Sequence, residues 1–187
     1  MRACVAAMAM VVLTAAVASA EVTSGPQVGE RVGAFTVTKV TGNPEDGVDD
    51  GKKLCYRCKM GQRPVVMVFA RSADEKLAKF LKKLEEEIAE HADTKLSAFV
   101  NMIGTDEASM KQAAADFVAK HDIKRVAFVI PEDAKNGPED FKIAPDADVT
   151  VVCYKEGKVK ANHAFAAGGL SDEKIEAIVH ASCEMAE

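Results

Sequence analysis

Three short apolar runs, separated by stretches of helical periodicity, constrain the fold of this chain more than any other feature. The runs are rich in β-branched and aromatic residues, which is typical of strands that are covered on both faces. They are PVVMVFA at 64–70, KLSAFVNMIG at 95–104 and RVAFVIP at 125–131. Strands that alternate with helices pair in parallel through right-handed crossovers. The sequence therefore predicts an α/β domain with a parallel centre and helices on both faces.

Helix-start signals precede three amphipathic stretches. Ser72 followed by Glu75 fits a capping box, in which each side chain satisfies a free backbone N–H at the helix start. Thr105 and Ser171 are each followed by two acidic residues, which are favourable in the first turn of a helix. We expect the first of these helices to end near His91, with its Lys and Glu side chains on the outer face.

Two further segments extend the predicted sheet at its edges. Residues 31–42, RVGAFTVTKVTG, alternate between apolar and polar side chains, so they read as a half-buried strand. Residues 148–165 read as a hairpin with a tight turn at Glu156 and Gly157. The segments 43–53 and 132–147 are predicted to be loops, the second with a short helical turn. The result is a mixed sheet of about five strands, closed by a hairpin and a helix.

The first twenty residues, MRACVAAMAMVVLTAAVASA, have the three parts of a secretory signal peptide. The basic Arg2 precedes an apolar stretch too short to span a bilayer, and a small-x-small sequence ends at Ala20. We therefore expect cleavage near Ala20, a flexible lead-in over 21–30 and one domain over 31–187. The expected location is periplasmic or secreted, with no membrane association of the mature form.

The charge of the chain argues against some classes of partner. Without the predicted signal peptide, 23 basic and 29 acidic residues remain, so the net charge is about −6. An acidic surface of mixed charges argues against a general nucleic-acid binder and against binding to anionic membranes. We predict no cofactor.

The candidate chemistry lies ahead of the first core strand, in the segment LCYRCKMGQRP at 54–64. Cys55 and Cys58 form a Cys-x-x-Cys motif, the usual mark of a thiol–disulfide redox site. Basic residues surround the pair, and positive charge favours a thiolate over a thiol. These residues are Lys52, Lys53, Arg57, Lys59 and Arg63.

Two other cysteines follow later in the predicted mature chain. Cys153 lies within an apolar strand, and Cys183 lies at the edge of the inward face of the last helix. Buried free thiols behave as small apolar residues, so packing is one interpretation of both. The alternative is a Cys153–Cys183 disulfide, which an oxidising compartment would permit.

The order of elements resembles the thioredoxin-like fold, and within it the redoxin or peroxiredoxin-like branch. The sequence VGERVGAFTVTKVTG looks like the opening strand of that branch, and RPVVMVFA looks like its first central strand. The sequence DVTVVCYKEGKVKANHAF looks like its terminal hairpin. The resemblance covers nearly the whole chain after the predicted signal peptide.

The chain departs from that family at the positions that carry its chemistry. Thioredoxins and peroxiredoxins hold the reactive cysteine between the central strand and its helix, where this chain has Arg71-Ser72-Ala73-Asp74. The resemblance also implies a cis-proline before the hairpin, where this chain has Val149, and a non-proline cis bond costs about 2.5–4 kcal/mol. The catalytic residues of the family are therefore not carried over. We expect Cys55 and Cys58 near the opposite end of the sheet.

Three interpretations of the cysteine pair remain. The first is thiol–disulfide exchange with a protein partner, in which Cys55 and Cys58 are catalytic and Cys55, by analogy, attacks. The second is a non-catalytic binding or scaffold domain whose cysteines are structural. The third is a small metal-binding module, which would need Cys153, Cys183 and His163 to gather around the pair because no second ligand motif follows.

Overall fold

The computed structural model describes residues 22–187, so the predicted signal peptide, residues 1–20, lies outside the described residues. None of the helices in the described part is long and apolar enough to cross a membrane. The strands are β1 Val37–Gly42, β2 Lys53–Leu54, β3 Val65–Ala70, β4 Ser97–Met102, β5 Val126–Pro131, β6 Val149–Lys155 and β7 Lys158–Phe165. The α-helices are α1 Tyr56–Met60, α2 Glu75–Glu90, α3 Glu107–His121 and α4 Asp172–Ala186, with 3₁₀ turns at Pro44–Asp46 and Glu139–Phe141.

The strands form one mixed sheet in the order β2-β1-β5-β4-β3-β6-β7. Strands β3, β4 and β5 are parallel, with Val65 beside Ser97 and Ala98 beside Val126. Strand β1 is antiparallel to β5, and the hairpin β6–β7 adds an antiparallel edge beside β3. The predicted mixed sheet is confirmed, with seven strands rather than about five.

Side chains of β3 point alternately into two cores. Val66 and Val68 pack with residues of α2, α3 and α4 on one face of the sheet. Val65 and Met67 pack on the other face with α1 and with the segment that leads into β1. Helices α2 and α3 share one face because β3, β4 and β5 are neighbours in chain order, and successive right-handed crossovers then fall on the same side. Helix α4, which follows the hairpin, packs on that face as well. The other face holds only the five-residue α1 and irregular segments within residues 22–187.

Two of the three predicted helix caps are wrong. Asp74, rather than Ser72, caps α2 by accepting a hydrogen bond from the Leu77 N–H at 2.8 Å. The Ser72 hydroxyl instead donates to the Asp148 carboxylate at 2.7 Å. Helix α3 is likewise capped by Asp106 in place of Thr105, and only the predicted cap at Ser171 is confirmed. In both cases an aspartate one or two residues further along the chain caps the helix.

Part of the segment predicted to be a flexible lead-in, residues 21–30, is held against the sheet. The Ser24 side chain lies 2.8 Å from the Thr150 hydroxyl, and it is 2% exposed. The Asn162 amide donates to the carbonyl oxygens of Ser24 and Pro26, at 2.9 and 2.8 Å. These contacts join the start of the described chain to β6 and β7.

A buried carboxylate joins α2 to the start of β5. The Glu85 side chain is 9% exposed, and its Oε1 accepts hydrogen bonds from the backbone N–H groups of Lys124, at 2.6 Å, and Arg125. Lys82 lies 3.3 Å from the other carboxylate oxygen. The two N–H groups at the end of the α3–β5 connection therefore donate to a carboxylate of helix α2.

Replacing Glu85 with Ala should lower the free energy of unfolding by about 1–3 kcal/mol, because two partly buried N–H donors lose their acceptor. The measurement is chemical denaturation followed by circular dichroism. Glu86→Ala, on the exposed side of the same helix, is the matched control and should change stability by less than about 0.5 kcal/mol. Equal effects of the two substitutions would contradict the assigned role of Glu85.

Candidate disulfide site

Cys55 and Cys58 form a disulfide at the start of α1, with their Cα atoms 5.2 Å apart. Cys55 is the N-cap residue of this helix, and its Sγ accepts a hydrogen bond from the Cys58 N–H at 3.1 Å. Cys55 is partly buried, whereas Cys58 is exposed. Cys58 is therefore the more solvent-exposed residue of the pair.

Tyr56, the first residue between the cysteines, anchors the site in the core. Its side chain is 1% exposed, and its ring stacks on Phe99 of β4 with the centroids 5.3 Å apart. Its hydroxyl donates to Asp46 Oδ2 at 2.5 Å. Burial and the neighbouring Asp46 carboxylate raise the pKa of Tyr56 above its usual value, so the hydroxyl stays protonated and remains a donor.

The acceptor of that hydrogen bond is itself part of a buried ion pair. Lys39 Nζ lies 3.0 Å from Asp46 Oδ1 and also donates to the carbonyl oxygens of Asn43 and Val48. Lys39 is 2% exposed, and all three of its N–H groups have acceptors. The sequence predicts only an alternating strand over 31–42 and a loop over 43–53, so it does not reveal this pair. The alternation of apolar and polar residues along β1 was the only sequence signal that Lys39 could be buried.

Arg57, the second residue between the cysteines, points away from the disulfide. Its Nε donates to the Val32 carbonyl at 3.1 Å. Its guanidinium packs against Gly157 in the β6–β7 turn, where a Cβ would overlap Arg57 Nη2. Gly157 also has a positive φ of 69°, so a side chain at this position would strain the turn.

The other members of the predicted basic cluster lie on the surface. Lys52, Lys53, Lys59 and Arg63 are all exposed, and Lys53 lies 3.5 Å from Glu132. Lys59 and Arg63 line a groove of about 520 Å³ beside α1, to which Lys95 and Arg125 also contribute. The positive charge near the pair is thus a feature of the solvent-facing side of the helix.

Residues 71–74 form the connection that holds the reactive cysteine in thioredoxins. In this chain the connection makes polar contacts instead. The Arg71 guanidinium donates to the carbonyl oxygens of Lys135, Ala144 and Ala147 at 3.0–3.3 Å. Within the described residues no peptide bond is cis, which includes the bond at Val149. None of the side-chain partners of Arg71 or Ser72 in the described chain lies in α1, so these two side chains are not hydrogen-bonded to the helix that carries the disulfide.

The disulfide is displaced from that connection both sideways and along the strands. Leu54 pairs with Val37 on β1, at the far side of the sheet from β3. From there α1 runs across the face towards Pro64, which precedes β3. The Arg57 side chain contacts Gly157 in the β6–β7 turn, which lies beside the N-terminal end of β3. The predicted separation from residues 71–74 is therefore present, although Cys55 itself leaves the sheet from an edge strand.

The other two cysteines within residues 22–187, Cys153 and Cys183, are free. Burial raises the pKa of the Cys153 thiol to about 12, as expected for a side chain that packs in the core. The Cys183 Sγ donates to Glu87 Oε2 at 2.9 Å, and burial together with that carboxylate raises the pKa of Cys183 to about 12. The alternative of a Cys153–Cys183 disulfide is therefore wrong. His163 is half-buried, and its cluster with Cys55 and Cys58, required for a metal site there, does not form in the described chain.

Comparisons with known proteins identify the fold. A scan against models of protein families gives no match, and a search of curated protein sequences gives none either. Solved structures do match along most of the chain. A protein assigned as the thiol:disulfide interchange protein DsbE from Chlorobium tepidum is 13% identical, with a TM-score of 0.61 over 86% of this chain and 99% of that one.

Two further structures agree with it. A protein assigned as a disulfide isomerase from Bacteroides thetaiotaomicron is 17% identical, with a TM-score of 0.60 over 88% of this chain and 94% of that one. Thiol peroxidase from Chromobacterium violaceum is 11% identical, with a TM-score of 0.57 over 90% and 93%. The chain has the thioredoxin-like fold. At these identities the likeness shows the fold alone, and the chemistry of this thioredoxin-like domain must be argued from its own residues.

Tyr56→Phe should lower the free energy of unfolding by about 1–3 kcal/mol, because the buried Asp46 oxygen loses its donor. Tyr154→Phe is the matched control, since the Tyr154 hydroxyl is buried without a hydrogen-bond partner among the described residues. Its removal should be neutral or stabilising. Chemical denaturation of the two variants measures the difference, and a loss in Tyr154→Phe equal to that in Tyr56→Phe would contradict the Tyr56–Asp46 anchor.

Proposed function

We propose that this thioredoxin-like domain exchanges electrons with the thiols of a protein partner through the Cys55–Cys58 disulfide. The observation that carries the proposal is the asymmetry of the pair: Cys58 is exposed, and the Cys55 sulfur accepts a backbone N–H. A hydrogen bond to sulfur favours its thiolate form, which makes Cys55 the better leaving group. The thiol–disulfide activities named for two of the structural neighbours agree with this class of reaction.

The exchange proceeds in two displacements. A thiolate of the partner attacks Cys58 Sγ, the Cys55–Cys58 bond breaks, and Cys55 leaves as a thiolate that the Cys58 N–H stabilises. The second thiolate of the partner then attacks its own sulfur in the mixed disulfide and releases Cys58. The partner dithiol is oxidised to a disulfide, and Cys55 and Cys58 take up its two electrons and two protons. A disulfide oxidant restores the pair, and the reverse sequence reduces a partner disulfide.

Analogy with the family favours Cys55 as the sulfur that meets the partner, whereas exposure favours Cys58. Tyr56 and Arg57 fix the helix between the two cysteines, so Cys55 does not reach the surface by a small rotation of α1. The unequal exposure therefore supports Cys58 as the sulfur that the partner attacks and Cys55 as the sulfur that leaves.

A structural role for the disulfide is the second candidate, and one observation favours it. Both residues between the cysteines are anchored to distant parts of the chain, Tyr56 to Asp46 and Arg57 to Val32. A bridge that only staples the segment ahead of β3 would need no redox partner. The two candidates differ in how easily the bond is reduced.

Equilibration in defined thiol–disulfide buffers, followed by alkylation and mass measurement, gives the reduction potential of the pair. Exchange chemistry predicts a value between about −120 and −270 mV, the range of known oxidoreductases. A potential below about −300 mV is that of a structural disulfide and would reject the proposed function. Cys183→Ser is the matched control, because this thiol is not in the disulfide, and its substitution should leave the potential unchanged.

Single-cysteine variants test the order of attack. Cys55→Ala leaves the exposed Cys58 thiol, which should form a mixed disulfide with oxidised glutathione at least about tenfold faster than Cys55 does in Cys58→Ala. The rates are read by mass spectrometry of samples quenched with acid at one pH. Faster reaction of Cys55 in Cys58→Ala would reverse the assignment and return the entry role to Cys55.

A further inference from the structure

Helices α2 and α4 bring a carboxylate, an imidazole and a thiol together on the face of the sheet opposite α1. Glu87 and His91 are four residues apart on α2, so their side chains lie on one side of that helix. Cys183 reaches them from α4. One ligand atom from each of the three residues lies within 4.8 Å of the others.

The distances are close to those of a metal site. Cys183 Sγ lies 2.9 Å and His91 Nε2 lies 3.8 Å from the same oxygen, Glu87 Oε2. Around a tetrahedral zinc ion with bonds of about 2.0–2.3 Å, ligand atoms are about 3.3–3.7 Å apart. The separations found here, 2.9 and 3.8 Å with the third at most 4.8 Å, depart from that range by about 1 Å at most.

The surroundings leave an entry path and a place for a fourth ligand. The Glu87 and His91 side chains are 22% and 24% exposed, so the cluster is neither sealed in the core nor fully in solvent. Glu87 and Cys183 also line a surface groove of about 480 Å³ between the helices, together with Val179 and His180. This groove admits water to the open position of the site.

We propose that Glu87, His91 and Cys183 bind a zinc ion, with water as the fourth ligand, and that the ion joins α2 to α4. Thiolate, imidazole and carboxylate are the donor groups that zinc prefers. On binding, the S–H bond of Cys183 breaks, the proton goes to solvent, and the Cys183 sulfur bonds the metal in place of its hydrogen bond to Glu87. The two anionic ligands then balance the charge of the ion. No oxidation or reduction takes place, and the site is independent of the proposed function.

Cobalt titration of the protein with its Cys55–Cys58 disulfide intact tests the site, because the bridged cysteines are then unable to bind the metal. We expect a thiolate-to-cobalt charge-transfer absorption that added zinc removes. Cys183→Ser should abolish this band, and His91→Ala should weaken zinc binding at least about tenfold. His121→Ala is the matched control, since His121 also lies beside a carboxylate, Glu75, at 3.9 Å, and it should change the affinity less than twofold.

Absence of the band in the unmutated protein, or a band that survives Cys183→Ser, would overturn the site and leave a hydrogen-bonded helix contact. A second measurement needs no variant. Zinc should slow the alkylation of Cys183 by iodoacetamide, and a chelator should restore it, whereas Cys153 is fully buried in either case. Equal alkylation of Cys183 with and without zinc would reject the proposal even if a variant fails to fold.

Discussion

The disulfide site depends on one buried polar contact, the hydrogen bond from Tyr56 to an Asp46 carboxylate that also pairs with Lys39. A helix of five residues does not persist alone in water, because its nucleation cost exceeds what so few hydrogen bonds return. Helix α1 therefore exists because its side chains are fixed from outside. Removing one member of a buried ion pair leaves an uncompensated charge, at a cost of about 3–5 kcal/mol. That cost keeps the segment from Asp46 to Tyr56 in one arrangement.

The central sheet was predictable because its signal is local and long. The runs in β3 and β5 are continuously apolar, and β4 is mostly apolar apart from Ser97 and Asn101. Each run is followed by a stretch of helical periodicity or a proline, so chain order implies parallel pairing. Strand β2 and helix α1 were not predictable, since two and five residues are too short for any period to show. They are positioned by contacts from distant residues, as when Arg57 donates to Val32, twenty-five residues earlier.

Each candidate site likewise combines features that the sequence shows with features that only tertiary packing determines. The Cys-x-x-Cys motif identifies Cys55 and Cys58 by sequence, but their unequal exposure accompanies the burial of Tyr56, at a position where the motif specifies no residue type. Likewise Glu87 and His91 have a spacing that sequence shows, whereas Cys183 joins them ninety-six residues after Glu87, through the packing of α4 on α2. The reactive groups are thus recognisable in the sequence, but tertiary contacts determine which of them lie close together.

Strand β3 separates the two candidate sites onto opposite faces of one small sheet. Its residues alternate between the two cores, with Met67 beneath the face that carries α1 and Val66 beneath the face that carries α2 and α4. The C-terminal end of β3, the usual place for a reactive cysteine in this fold, is occupied by the Arg71 guanidinium and its three carbonyl acceptors. Sulfur chemistry at that end would have to displace a charged group that donates three hydrogen bonds to carbonyl oxygens, which is costly. The faces of the sheet, rather than its end, are therefore where this domain has room for reactive groups.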